Sequence, residues 1–164
     1  MTLSTAELLK VVLDEIDLRS FPKTSGGKGF HVVVPLTRRQ GWSETKAVAH
    51  AVARHMARVV PQRFSAVLGP KNRVGKIFID YLRNSRGAST VAAFSVRARS
   101  GMWVSMPVSW DELKEVSRGD EWTMQKAIQR QRSLKVDPWQ GYWQTRQRIT
   151  AAMRRAVAMD AGSR

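Results

Sequence analysis

A glycine-rich turn, Thr24-Ser25-Gly26-Gly27-Lys28-Gly29-Phe30-His31, runs straight into Val32-Val33-Val34-Pro35-Leu36 and constrains this chain more than any other segment. Three glycines in four positions open backbone conformations closed to other residues and let amide N–H groups approach an anion. Lys28 adds a point charge and Ser25 a neutral donor. The turn is not a Walker A loop, because no Ser or Thr follows Gly27-Lys28 and the next segment reads as a strand. Two readings stay open from these residues alone: an anion cradle, and a tight loop joining two strands.

Local patterns extend the picture. Ser4-Thr5-Ala6-Glu7 has the form of a capping box, and Leu8, Leu9, Val12, Leu13 and Ile16 recur at helical spacing behind it. Arg19 to Lys23 and Phe30 to Leu36 read as strands flanking the turn. A second helix starts at Ser43, gathers Val48, Val52, Met56 and Val59 on one face, and ends before Pro61. Short strands are expected over Arg63 to Leu68, Lys76 to Leu82 and Val91 to Arg99. Helices are expected from Ser109-Trp110-Asp111-Glu112, over Thr123 to Leu134, and over Gln144 to Asp160, with Ile149, Met153 and Ala156 inward in the last. The pattern predicts an α/β (α+β) fold, a mixed sheet covered by helices, in one domain over residues 1–164.

Charge narrows the partners. The chain carries 28 Lys and Arg against 13 Asp and Glu, a net charge of +15. A polyanionic partner follows, and nucleic acid fits better than a membrane because the cations are scattered and border no apolar span. No membrane association is expected. The amino terminus is acidic and amphipathic, unlike a secretory signal, and the absence of cysteine excludes disulfides and thiolate zinc sites; a cytoplasmic, nucleoid-associated protein is expected.

Between Thr45 and Trp110 stand eleven Lys or Arg residues and one acidic residue, Asp80. Period-2 alternation through Ile77-Phe78-Ile79-Asp80-Tyr81-Leu82 puts Phe78, Asp80 and Leu82 on one face. A lone carboxylate on a half-buried strand is tolerable against an arginine, and Arg83 lies three residues on, or against a metal. In Ser95-Val96-Arg97-Ala98-Arg99 the same alternation places both arginines on one face and Val96 and Ala98 toward the core. His31 occupies the polar face of its own strand. An Asp–Arg pair on a solvated sheet and a phosphate and divalent-metal site both fit these residues.

The runs Phe21 to Leu36, Gly75-Lys76-Ile77-Phe78-Ile79-Asp80-Tyr81-Leu82-Arg83-Asn84 and Ser95 to Arg99 closely resemble the polymerase domain of bacterial ligase D, as do Ser105-Met106-Pro107 and Trp110-Asp111-Glu112-Leu113. That domain belongs to the archaeo-eukaryotic primase superfamily and serves non-homologous end joining. The resemblance implies a largely antiparallel, RRM-like catalytic sheet, a Mn²⁺ or Mg²⁺ cofactor, and template-directed nucleotide addition at a broken DNA end. Asp80 would be a metal ligand and catalytic carboxylate. Ser25, His31 and Arg83 would hold the nucleoside triphosphate, Lys28 would assist from the turn, and Arg97 and Arg99 would complete a basic wall. DNA ends, nucleoside triphosphates, ligase D or a Ku-type end-binding protein are the partners implied.

The family's other two metal ligands form an Asp-x-Asp pair on a strand before the first helix of this chain, and no such pair occurs in the sequence. Asp14-Glu15-Ile16-Asp17 is no substitute, since these acids fall on the solvated side of an amphipathic helix. The chain is therefore expected to be equivalent to the carboxy-terminal half of the domain. It would act with a partner chain that supplies the missing carboxylates, or stand alone as a catalytically incomplete remnant that binds nucleotide or nucleic acid. His50 and His55 do not share a helix face and read as surface. The six tryptophans read mainly as packing, and Arg146, Arg148, Arg154 and Arg155 as a solvated basic face.

Overall fold

The computed structural model describes residues 4–159, so the end of the last expected helix at Asp160 lies outside the described residues. Among the described residues four α-helices and two small sheets form: α1 Thr5–Glu15, β1 Phe21–Thr24, β2 Phe30–Val33, α2 Trp42–Val59, β3 Phe64–Ser65, β4 Ile77–Phe78, α3 Met124–Ser133 and α4 Ala151–Met159. The mixed α/β class stands. β1 and β2 pair antiparallel, with Lys23 opposite His31, whereas β3 and β4 pair parallel.

The chain divides into two compact units. The first holds the chain up to Asp14, Leu18–Pro35 and Val91–Arg146. Here the capping box forms in full: Ser4 N–H donates to Glu7 Oε2 at 2.7 Å and Glu7 N–H to Ser4 Oγ at 3.3 Å, satisfying two amides that the helix itself leaves unpaired. Ser109 and Glu112 repeat the device at 2.7 and 3.1 Å, starting a 3-10 turn over Glu112–Lys114. Thr123 caps α3 through Lys126 N–H. β1 is walled on both sides, by β2 and by the segment that follows Ser105: Thr24 N–H donates to Met106 O and Val108 N–H to Pro22 O. Beneath lie Ala6, Val108 and Leu113 in one cluster and Val104, Met106 and Ala127 in another.

The second unit holds Leu36–Thr90, Glu15–Asp17 and the chain from Gln147 on. Val48, Val52, Ala53 and Met56 form the buried face of α2, and Phe64, Ala66, Ile149 and Val157 are buried with them in this unit. Helix α4 starts at Ala151, not Gln144. The backbone before it pairs elsewhere, with Thr37 N–H donating to Gln147 O and Gln40 Nε2 to Ile149 O, and Thr150 Oγ1 then caps Met153 N–H.

Four expected strands shorten or vanish: β2 keeps Phe30–Val33 of Phe30 to Leu36 and β3 keeps Phe64–Ser65 of Arg63 to Leu68, while the other two change for local reasons. β4 stops at Phe78 because the Asp80 carboxylate takes the Leu82 amide at 2.9 Å, a side-chain turn that competes with the ladder. Val91 to Arg99 forms no strand. Phe94 has φ +62°, its N–H donates to Ser105 O, and only an isolated bridge, Val96 to Val104, survives. The expected facing reverses as well: Val96 and Ala98 are exposed, and Arg97 is the half-buried member.

Candidate functional site

The glycine turn is built by its own hydrogen bonds. Ser25 N–H donates to Gly29 O at 3.1 Å, and Gly27 N–H to Ser25 Oγ at 3.2 Å. The amides of Gly26, Lys28 and Gly29 have no intrachain partner among the described residues. Ser25, Gly26 and Gly27 are buried, and Lys28 and Gly29 are exposed at the tip. The turn therefore leaves three backbone amides unpaired and carries one exposed lysine at its tip, on a base fixed by its own hydrogen bonds; unpaired amides and an ammonium are groups suited to an anion.

Its glycines serve close packing more than unusual dihedrals. Only Gly26 has a left-handed backbone, at φ +62°, and a Cβ there would meet Trp103 O at 2.7 Å. A Cβ on Gly27 would meet the Arg97 guanidinium at 2.7 Å. From below, Gly119 presses against the turn so tightly that a Cβ would fall 1.9 Å from Gly29 O. Beside Gly119, Arg118 grips Asp120 through two bonds at 2.8 and 2.9 Å. That grip holds the Asp120 carboxyl below its ordinary range, with a smaller pull from Lys28.

Arg97 braces the turn from the side, donating through Nη1 to Ser25 O at 3.1 Å. Arg99 lies exposed in the bend that follows, its N–H on Arg97 O at 2.7 Å. His31, half-buried on β2, pairs across the strands with Lys23. Ser25, Lys28, His31, Arg97 and Arg99 thus all belong to the first unit. Asp80 and Arg83 belong to the second. There both are exposed, and Arg83 Nε stands 3.9 Å from Asp80 Oδ2. His50, read from sequence as surface, is half-buried and stacks on Tyr81 at 4.0 Å between ring centroids.

Among the described residues, no three His, Asp or Glu side chains gather into a group that could hold a metal. Asp80 is a single carboxylate with one oxygen already on the Leu82 amide. Divalent cations of the Mg²⁺ class need several oxygen ligands, so these residues do not by themselves fit a metal ion.

One group escaped the sequence reading. Lys23 is 3% exposed, with Nζ donating to Val91 O at 2.9 Å and to Ser105 Oγ at 2.6 Å. Burial, with a smaller push from Arg97, brings its ammonium down to about 8. A Ser–Lys pair at this distance has the outline of a nucleophile and its base. Ser105, however, is 0% exposed and donates to Thr24 O at 2.8 Å, so no substrate reaches it. The signal for Lys23 was present in the strand: Phe21 shares its face, and Phe21 is core. Gly119 left no comparable signal, because its approach to the turn is a long-range contact.

The fold is mixed α/β, of high positive charge, and carries an arginine-braced glycine turn on an antiparallel strand pair. The chain belongs to the LigD primase-polymerase domain family, whose model matches residues 1–139. It is 58% identical over 156 residues to the multifunctional non-homologous end joining protein LigD of Pseudomonas aeruginosa, covering 94% of this chain and 19% of that protein. It is 30% identical to the bifunctional LigD of Bacillus subtilis, over 70% of this chain and 19% of that one. Among solved structures it resembles the polymerase domain of Mycobacterium tuberculosis ligase D in complex with DNA, with TM-score 0.71 and 28% identity over 78% of this chain and 45% of that chain. No helix among the described residues is long and apolar enough to cross a membrane.

Proposed function

We propose that this chain serves non-homologous end joining as the triphosphate-receiving part of a primase-type nucleotidyltransferase. It would correspond to the carboxy-terminal half of a ligase D polymerase domain. The observation that carries the reading is the turn itself: unpaired amides and the exposed Lys28 on a base fixed by Arg97 and Gly119. Ser25, Lys28, His31, Arg97 and Arg99 receive the nucleoside triphosphate; for Arg83, on the other unit, a phosphate contact rests on the family resemblance alone. Asp80 supplies one carboxylate toward Mn²⁺ or Mg²⁺, and among the described residues no group of three acids or histidines joins it. The partner is a DNA end, with contacts to phosphate that weaken steeply as salt rises. Ligase D and a Ku-type end-binding protein are the assemblies such a domain would join.

Primer extension separates the two forms of this reading. With Mn²⁺, a template and nucleotides, the chain alone is expected to give no template-dependent product, while addition of a polypeptide carrying the Asp-x-Asp pair restores it. Product from the chain alone would overturn the assignment of an incomplete metal site. Failure of restoration, with nucleotide binding intact, would favour a binding module without catalysis.

A further inference from the structure

Lys23 carries an ammonium in the interior, next to another cation, with no carboxylate among its partners in the described residues. Its Nζ holds Val91 O and Ser105 Oγ, and the Ser105 hydroxyl passes the contact on to Thr24 O at 2.8 Å. Thr24 is 0% exposed and fastened at every polar atom: N–H to Met106 O, Oγ1 to Val104 O, and Met106 N–H back to Oγ1. The next residue is Ser25, whose carbonyl takes Arg97 and whose hydroxyl takes Gly27 N–H. The chain of contacts from the ammonium to the turn is unbroken.

Burying an ammonium against neutral acceptors is unfavourable, and a second cation nearby makes it more so. The titratable and charged groups facing Lys23 are the Arg97 guanidinium and, across the β1–β2 register, the His31 imidazole. An anion bound on the turn would relieve that repulsion.

We propose that Lys23 is a positioning residue for the glycine turn and the group through which anion binding there is coupled to proton uptake. This rests on the nucleotide-binding reading of the turn for its ligand, a polyphosphate, but not for the positioning itself. Since a bound anion favours the charged ammonium, binding shifts Lys23 toward its protonated form. Affinity then falls as pH rises through the range where the free protein's ammonium, at about 8, loses its proton.

The test uses the whole chain and metal-free ATP or inorganic triphosphate as probes. In the anion-free protein, the amide resonances of Gly26, Gly27 and Gly29 are expected to titrate with a shared midpoint in the parent and to lose that transition in Lys23→Met. Calorimetry near the same pH, in two buffers of different ionisation enthalpy, is expected to show uptake of a fraction of a proton in the parent and none at this group in the variant, with affinity about tenfold weaker. Ser105→Ala keeps the ammonium but cuts its link to Thr24, so it should disturb the turn amides while retaining proton uptake; it also covers the case in which Lys23→Met does not fold. Turn amides indifferent to both substitutions overturn the positioning role, and binding without differential proton uptake overturns the coupling. If the parent binds neither probe, the nucleotide reading fails, and the amide titration still decides whether Lys23 positions the turn.

Discussion

The Arg97 guanidinium occupies the space that a Cβ on Gly27 would need, 2.7 Å away, and from there reaches Ser25 O at 3.1 Å. Side chain and missing side chain are one device: the glycine leaves room for the brace. Gly27→Ala should push the flexible guanidinium aside at a modest cost, about 1 kcal/mol, while weakening triphosphate binding several-fold through loss of the brace. Paired thermal melts and ATP titrations check the split between stability and affinity.

Gly119→Ala should behave differently. Its Cβ would fall 1.9 Å from Gly29 O, a backbone atom that cannot swing away. Overpacking against a fixed backbone costs about 3 kcal/mol or more. A large fall in melting temperature, or failure to fold, is expected, and a melt within a degree or two of the parent's would contradict the close approach.

Where a start carries a Ser–Glu capping box it was legible in the sequence, because such a cap is written within four residues. Ser4 with Glu7 and Ser109 with Glu112 both form as their spacing suggests. The turn and its flanking strands were legible for the same reason. What failed was decided at a distance. Alternation from Ser95 to Arg99 put the arginines outside, but Arg97 turns inward because the Ser25 carbonyl lies there to receive it. The start of the last helix was misplaced because Gln147 and Ile149 spend their carbonyls on Thr37 and Gln40. Of the candidate site residues, five share one unit with the turn, while Asp80 and Arg83 stand on the other unit.

Lys23 predicts a pH dependence of stability. Its folded-state value, about 8, lies below the ordinary 10.5, so between these limits the unfolded chain binds more protons than the folded one, and stability rises with pH. Below about pH 8 the penalty is fully present, and it is relieved progressively up to 10.5. The relief is on the order of 3 kcal/mol. Urea melts of the parent and Lys23→Met across this range should show a rise in the parent that the variant lacks.

Glu112 has two employments: Oε2 caps Ser109 N–H, and Oε1 accepts from Arg130 Nη2 at 2.6 Å. The Arg130 side chain is only 8% exposed. Glu112→Ala takes the carboxylate from a buried guanidinium and opens a cap, and should cost about 2–3 kcal/mol, since the Glu112 end of the pair is partly solvated. Glu112→Gln keeps the hydrogen-bonding shape and should cost distinctly less; chemical denaturation of the two variants measures the difference.

Asp80→Asn should leave stability within about 0.5 kcal/mol, because its pairing with Arg83 is exposed and long. Any loss of metal-dependent activity in a complemented assembly is then attributable to the carboxylate itself, as primer extension with folded Asp80→Asn would show.

The most direct measurement of the central claim is a calorimetric titration of the chain with ATP, at fixed salt, beside Lys28→Ala and Arg97→Ala. Saturable binding by the parent, weakened about tenfold in each variant, is the result predicted for a triphosphate-receiving turn. Equal affinity in all three would contradict it.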